Sequence, residues 1–157
     1  MKYDQELVEF FQDYCAHHEA VYNFSPLTAQ IYTYIMFNNN SDGVTFDEIV
    51  EKLNASKSSV STSLNLLISN SQIEHFNKID ERKRYFKLKP DYLTIRLELI
   101  KDKLEREKTL NTRMVGYLNA GKLKSNNCEG KMMLFSEHLD SSIDNLATII
   151  QKLKNSI

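Results

Sequence analysis

The chain has 157 residues, 41% of them hydrophobic and 26% charged, with a net charge of −1. That suits one domain with an appended oligomerisation region, and it excludes a disordered chain or a uniformly basic nucleic-acid binder. Met1–Phe11 carries acids among its apolar residues, so no signal peptide is expected, and no segment is apolar for long enough to span a membrane. A cytoplasmic protein is expected, with its two cysteines, Cys15 and Cys128, as free thiols.

In chain order, Asp4–Tyr22 reads as a helix with Leu7, Phe10, Phe11 and Tyr14 on one face. Ser25 then caps a second helix with Pro26 at its first position, where a missing N–H costs nothing. Leu27, Ile31, Tyr34 and Ile35 point that helix inward, and Asn38–Gly43 is a linker. Nine of the sixteen Phe and Tyr residues precede Asn38. Such a concentration makes a core, or a cage for a quaternary ammonium ligand.

Thr45 to Leu53 forms a short helix, with Thr45 and Glu48 spaced as a capping box and Phe46, Ile49, Val50 and Leu53 as one buried stripe. Asn54 and Ala55 make a tight turn, and Ser56 caps a second helix running to Asn70. Val60, Leu64, Leu67 and Ile68 are the apolar stripe of that helix. Its opposite face carries Lys57, Ser58, Ser61, Thr62 and Asn65, short hydrogen-bonding side chains with one cation. Ser and Thr are mediocre helix formers, and a face that must lie close to DNA explains them better than solvent does. Ile73–Asn77 and Arg84–Lys89 read as two strands around a polar tip, Lys78–Lys83. From Lys57 to Lys89 there are seven Lys or Arg against three acids, a net of +4 in a chain that is otherwise negative. Charge concentrated in this way is the footprint of a nucleic-acid site. The fold class is therefore mainly α with a small β-hairpin, a winged helix-turn-helix whose second helix enters the major groove. Lys57, Ser58, Ser61, Thr62 and Asn65 on the helix, with Lys78, Arg82, Lys83 and Arg84 on the wing, are the expected DNA-binding residues.

These motifs resemble the MarR superfamily of transcriptional regulators, and more closely its GbsR-like branch. The resemblance rests on Ser56-Lys57-Ser58-Ser59-Val60-Ser61, which is similar to that family's recognition-helix opening, and on Asp80-Glu81-Arg82, similar to its Asp-x-Arg wing motif. Pro26, Leu27, Thr28 and Ala29 with Ile31 and Tyr32 are similar to the GbsR branch. The resemblance implies a regulator, most simply a repressor, and an effector such as choline or glycine betaine. It departs at Asn54, where relatives often have Gly, and at Ser61–Asn65, so no base preference carries over.

Beyond Pro90, Tyr92 to Asn119 reads as a long helix with Leu93, Leu97, Ile100 and Leu104 at heptad spacing, followed by a polar loop, Lys122–Gly130. Met132, Ser136, Leu139, Ile143, Leu146, Ile150 and Leu153 hold heptad spacing to the end of the chain. Seams of this kind need a partner, and a second copy supplies one while spacing two recognition helices for DNA. The expected organisation is a dimerisation helix at 1–24, a DNA-binding domain at 25–90 and a helical dimerisation region at 91–157.

No enzymatic or dinucleotide motif is present, so neither enzymatic activity nor a cofactor is expected. His17 and His18 point about 100° apart on a helix and cannot share one metal ion. The expected partners are double-stranded DNA and a second copy of the chain, with a small-molecule effector left open and no membrane. A winged helix that binds protein without reading DNA is the alternative, although it has no need of the concentrated positive charge.

Overall fold

A computed structural model describes residues 4–40, 42–79, 81–124 and 129–156. Its elements are α1 (Gln5–Tyr22), α2 (Pro26–Phe37), β1 (Val44–Thr45), α3 (Phe46–Leu53), α4 (Lys57–Ser69), β2 (Ile73–Asn77), β3 (Arg84–Leu88), α5 (Tyr92–Asn119) and α6 (Glu129–Lys154). They divide into two compact units, Met1–Tyr92 and Leu93–Ile157.

Local chemistry sets most boundaries of the first unit. Asp4 accepts from Leu7 N at 2.8 Å to open α1, and Ser25 accepts from Thr28 N at 3.3 Å with Pro26 following. At α3 the capping box is complete. Thr45 Oγ1 accepts from Glu48 N at 3.2 Å, and Glu48 Oε2 accepts from Thr45 N at 2.7 Å. Asn54 ends α3 in the left-handed region, with φ of 48°, so Asn serves where Gly would be easier. The α3–α4 turn is therefore as tight as expected.

The sheet has three strands in the order β1-β3-β2, one more than the expected hairpin. Val44 and Thr45 pair antiparallel with Phe86 and Tyr85, while Ile73–Asn77 pairs with Leu88–Arg84. Two residues are too short a stretch to show a period of two, which is why β1 is invisible in the sequence. Gly43, with φ of +67°, leads into β1. A Cβ there would stand 3.0 Å from both the Phe76 ring and the Phe86 carbonyl oxygen.

The core lies where α2, α3 and α4 meet this sheet. Ile31, Ile35, Ile49, Val60 and Leu67 are fully buried, joined by Leu64, Ile73, Phe86 and Leu88. Burying each aliphatic side chain contributes about 1.5–3 kcal/mol, which fixes α4 by one face only. α1 packs on α2 through rings: Phe10, Phe11 and Tyr14 each contact Phe37, with centroids 5.5–5.8 Å apart. His18 is buried in the same seam, its ring 4.7 Å from Tyr32 and its Nδ1 2.9 Å from Thr33 Oγ1.

The second unit is an antiparallel pair. Asn111 Nδ2 donates to Met132 O at 3.2 Å and to Ser136 Oγ at 2.5 Å. Lys108 pairs with Asp140, and Lys154 with Glu98 at 2.7 Å. Half-buried Leu97, Lys101, Leu104, Lys108, Asn111, Val115 and Leu118 repeat on α5 at three and four residues. The heptad stripe on α6 matches them, with Leu139 and Ile150 buried and the rest half-buried. The α6 seam expected to face a second chain thus already packs on α5 through Met132 and Ser136. Spacing of three and four residues marks a helix–helix seam without saying whether the partner helix belongs to the same chain. Other apolar side chains of this unit stay open, notably Leu110, Met133 and Leu134 at 58–67% exposure. No helix among the described residues is long and apolar enough to cross a membrane.

Candidate nucleic-acid interface

α4 presents the five expected side chains on one exposed arc. Lys57, Ser58, Ser61, Thr62 and Asn65 are all exposed, while Val60, Ser63, Leu64 and Leu67 are buried on the opposite side. At about 100° per residue the five span about 140° of the helix circumference. Their donors differ in availability. Thr62 Oγ1 donates to Ser58 O at 3.0 Å, and the Ser58 hydroxyl lies 3.1 Å from that of the cap, Ser56. Ser61 and Asn65 have no hydrogen-bond partner within the protein among the described residues, so their polar atoms are free to meet a ligand.

The Ser content of α4 has a second use that composition does not reveal. Ser63 is buried and accepts a 3.0 Å hydrogen bond from Thr28 Oγ1, whose oxygen lies 2.8 Å from Ser25 Oγ. This relay joins the first turn of α2 to the middle of α4 and satisfies polar groups inside the core. Ser25, Ser58, Ser59, Thr62 and Ser63 consequently share one hydroxyl-lined concavity of about 360 Å³ with Leu27.

The wing separates its cations into two groups. Arg82, Lys83 and Arg84 are exposed, with no ion pair among the described residues. Lys78, also among the residues expected on DNA, has partners within the protein. Its Nζ lies 3.3 Å from Asp42 Oδ1 and 4.3 Å from the centre of the Tyr85 ring. Lys87 behaves likewise, 3.2 Å from Glu74 and 5.1 Å from the Phe76 ring, and that ring stacks on Tyr85. The Tyr85 hydroxyl donates to Glu81, and that hydrogen bond to a carboxylate pushes the phenol up to about 12. Counting charges could not show this division, because Asp42 and Tyr85 reach Lys78 only through the fold. Asp80, part of the wing motif, lies outside the described residues.

Helix and wing meet at one depression of about 170 Å³ lined by Phe46, Ser61, Leu64, Asn65, Arg84 and Phe86. The free amide of Asn65, the free hydroxyl of Ser61 and the guanidinium of Arg84 thus converge on one surface. Together they can donate to and accept from base edges and clamp a phosphate.

A second concavity lies between α1, α2 and α3. It encloses about 180 Å³ and is lined by Leu7, Val8, Phe11, Tyr34, Phe37 and Leu53, with Asn38 and Lys52 as its polar members. Nearby, Cys15 is buried, and burial above all raises its pKa, which keeps the thiol protonated and a poor redox sensor. Cys128 lies outside the described residues. His17 is exposed while His18 is buried, and no metal-binding group of three or more His, Cys, Asp or Glu occurs among the described residues.

With this geometry in place, comparison with known proteins adds one firm result. No family model and no curated protein matches the chain. Among solved structures, one described as a "transcriptional regulator" aligns over 95% of this chain and 93% of its own, at 19% identity and a TM-score of 0.52. The fold is a winged helix-turn-helix. Weaker likenesses are to the MepR–DNA complex of S. aureus (14% identity, 74% of this chain and 95% of that one, TM-score 0.44) and to MarR (15%, 75% and 96%, 0.41). These last two lie below the similarity at which a shared fold can be argued from them.

Proposed function

We propose that this chain is a homodimeric, sequence-specific DNA-binding transcriptional regulator of the MarR superfamily, acting as a repressor under the control of a small molecule. The observation that carries the reading is the convergence of Ser61, Asn65 and Arg84 on one exposed surface beside Arg82 and Lys83, cations with no ion pair among the described residues. A protein-binding winged helix has no need of such a set. The solved transcriptional regulator that shares the fold over nearly the whole chain supports it.

Dimerisation is supported by the apolar surface left over once α5 and α6 have paired. Leu110, Met133 and Leu134 are exposed there, and Val8, Phe10 and Val21 are exposed on α1. Exposed apolar side chains on these helices are what contact with a second copy would cover. We therefore assign the pairing of copies to α1 and to residues 91–157, and DNA reading to residues 25–90. The cleft between α1, α2 and α3 supports an effector site, because it borders the first helix of the reading head. The one charged residue of its lining, Lys52, is a cation, which does not favour the choline-like effectors that the GbsR-like resemblance implies.

A salt titration tests the central claim. Binding of the full chain to duplex DNA is expected to fall steeply with salt, and Arg82→Ala with Arg84→Ala is expected to lower the slope by about 0.9 for each phosphate that is no longer neutralised. Binding insensitive to salt, or an unchanged slope in the double variant, would take the wing off DNA and favour the protein-interaction reading.

A further inference from the structure

The depression between α4 and β3 has walls of two kinds. Leu64 and Phe86 are 2% and 3% exposed, so with half-buried Phe46 they form its floor. Ser61, Asn65 and Arg84 are exposed and stand around its rim. Water in such a recess meets apolar carbon at the bottom, whereas a small apolar group ringed by polar ones would fit both walls.

The rim also holds the most versatile free group of the exposed arc. Thr62 Oγ1 is spent on the Ser58 carbonyl, and the Ser58 hydroxyl lies 3.1 Å from that of Ser56. Asn65 has no hydrogen-bond partner within the protein among the described residues, so its carbonyl and its amino group are both available. A carboxamide thus presents one acceptor and one donor side by side above an apolar floor.

We infer that this depression reads one A·T pair in the major groove, with Asn65 on the adenine edge and the thymine methyl group on the floor. The inference rests on the DNA-binding reading proposed above and adds to it the base pair. Adenine offers its N7 acceptor beside its N6 amino donor, the complement of a carboxamide. Guanine offers two acceptors, which would set O6 against the Asn65 carbonyl, and cytosine offers a donor alone. The thymine methyl is also the apolar group on that edge, so a G·C pair would leave the floor empty. Arg84, across the rim, remains for a backbone phosphate.

The test uses the full chain and a duplex selected by it from random sequence. Each A·T pair of that duplex is altered in two ways. Thymine is changed to uracil, which removes only the methyl group, or adenine to 7-deazaadenine, which removes only the N7 acceptor. At the pair under α4 both changes should weaken wild-type binding. Uracil should cost about fourfold, the worth of one buried methyl group, and 7-deazaadenine about tenfold. Asn65→Ala should bind the 7-deazaadenine duplex within about twofold of the unmodified one, yet keep the uracil penalty, at a melting temperature close to that of the wild type. If no pair responds to both changes in the wild type, or if Asn65→Ala shows the same 7-deazaadenine penalty, the inference is overturned. Failure of the wild type to select any duplex would instead remove the DNA reading itself.

Discussion

The opposed faces of α4 allow binding to be separated from folding within one short helix. Leu67 and Val60 are fully buried, whereas Ser61 and Asn65 are exposed and, among the described residues, without partners inside the protein. Leu67→Ala removes three carbons from a closed site and should cost about 3 kcal/mol. For a unit of the size of Met1–Tyr92 that lowers the melting temperature by on the order of 15 °C. Val60→Ala should cost less, about 2 kcal/mol, because fewer atoms go. Asn65→Ala and Ser61→Ala leave no buried group unpaired, and Ala is the better helix former, so stability should change by less than about 0.5 kcal/mol. A hydrogen bond to a base edge, however, is worth about 1–3 kcal/mol of discrimination. Thermal unfolding followed by circular dichroism, beside binding to a pool of duplexes of randomised sequence, measures both quantities on the same variants. A fall in melting temperature for Asn65→Ala comparable to that of Leu67→Ala would refute the assignment of faces. So would an unchanged sequence preference in both Ser61→Ala and Asn65→Ala.

Two further outcomes follow from local geometry. Gly43→Ala combines a strained positive φ with a Cβ 3.0 Å from the Phe86 carbonyl, so it should destabilise the unit by more than about 1 kcal/mol in denaturant unfolding, where a solvent-facing Gly→Ala would be neutral or stabilising. Glu48 has its pKa lowered, first by the backbone hydrogen bond from Thr45 and then by that residue's hydroxyl. A depressed folded-state pKa contributes stability that is present above the ordinary Glu value of about 4.3 and is lost as pH falls through the folded value. Glu48→Gln should therefore flatten the acid limb of the stability profile below about pH 4.3. An acid limb identical to that of the wild type would show that the capping box contributes nothing there.

What could be read from the chain alone was mostly what neighbouring residues decide among themselves. Ser25 with Pro26, Thr45 with Glu48, Asn54 at its turn and Ser56 ahead of Lys57 each place a boundary by hydrogen bonds that span a few residues. The winged fold and the faces of α4 follow from those boundaries and the apolar period between them. Strand β1 escaped because it is two residues long and exists only by pairing with Tyr85 and Phe86, far along the chain. Nothing in the sequence marks Ser63 as different from the other serines of α4, although it is the buried acceptor of Thr28.

The division of labour within the wing shows most plainly why the remainder was hidden. Net positive charge is a sum, and DNA responds to the cations left free, so two sequences with the same sum can bind quite differently. Here Lys78 and Lys87 lie against the faces of Tyr85 and Phe76, with Asp42 and Glu74 as their counter-ions. That arrangement stiffens the hairpin and removes two cations from its outer edge. Arg82, Lys83 and Arg84 stay exposed, with no ion pair among the described residues, and are the cations that the proposed reading places against phosphate. On the proposed reading Lys78 and Lys87 brace the hairpin while Arg82, Lys83 and Arg84 face DNA, so exchanging a member of one set for a member of the other would not conserve binding even where the charge is the same.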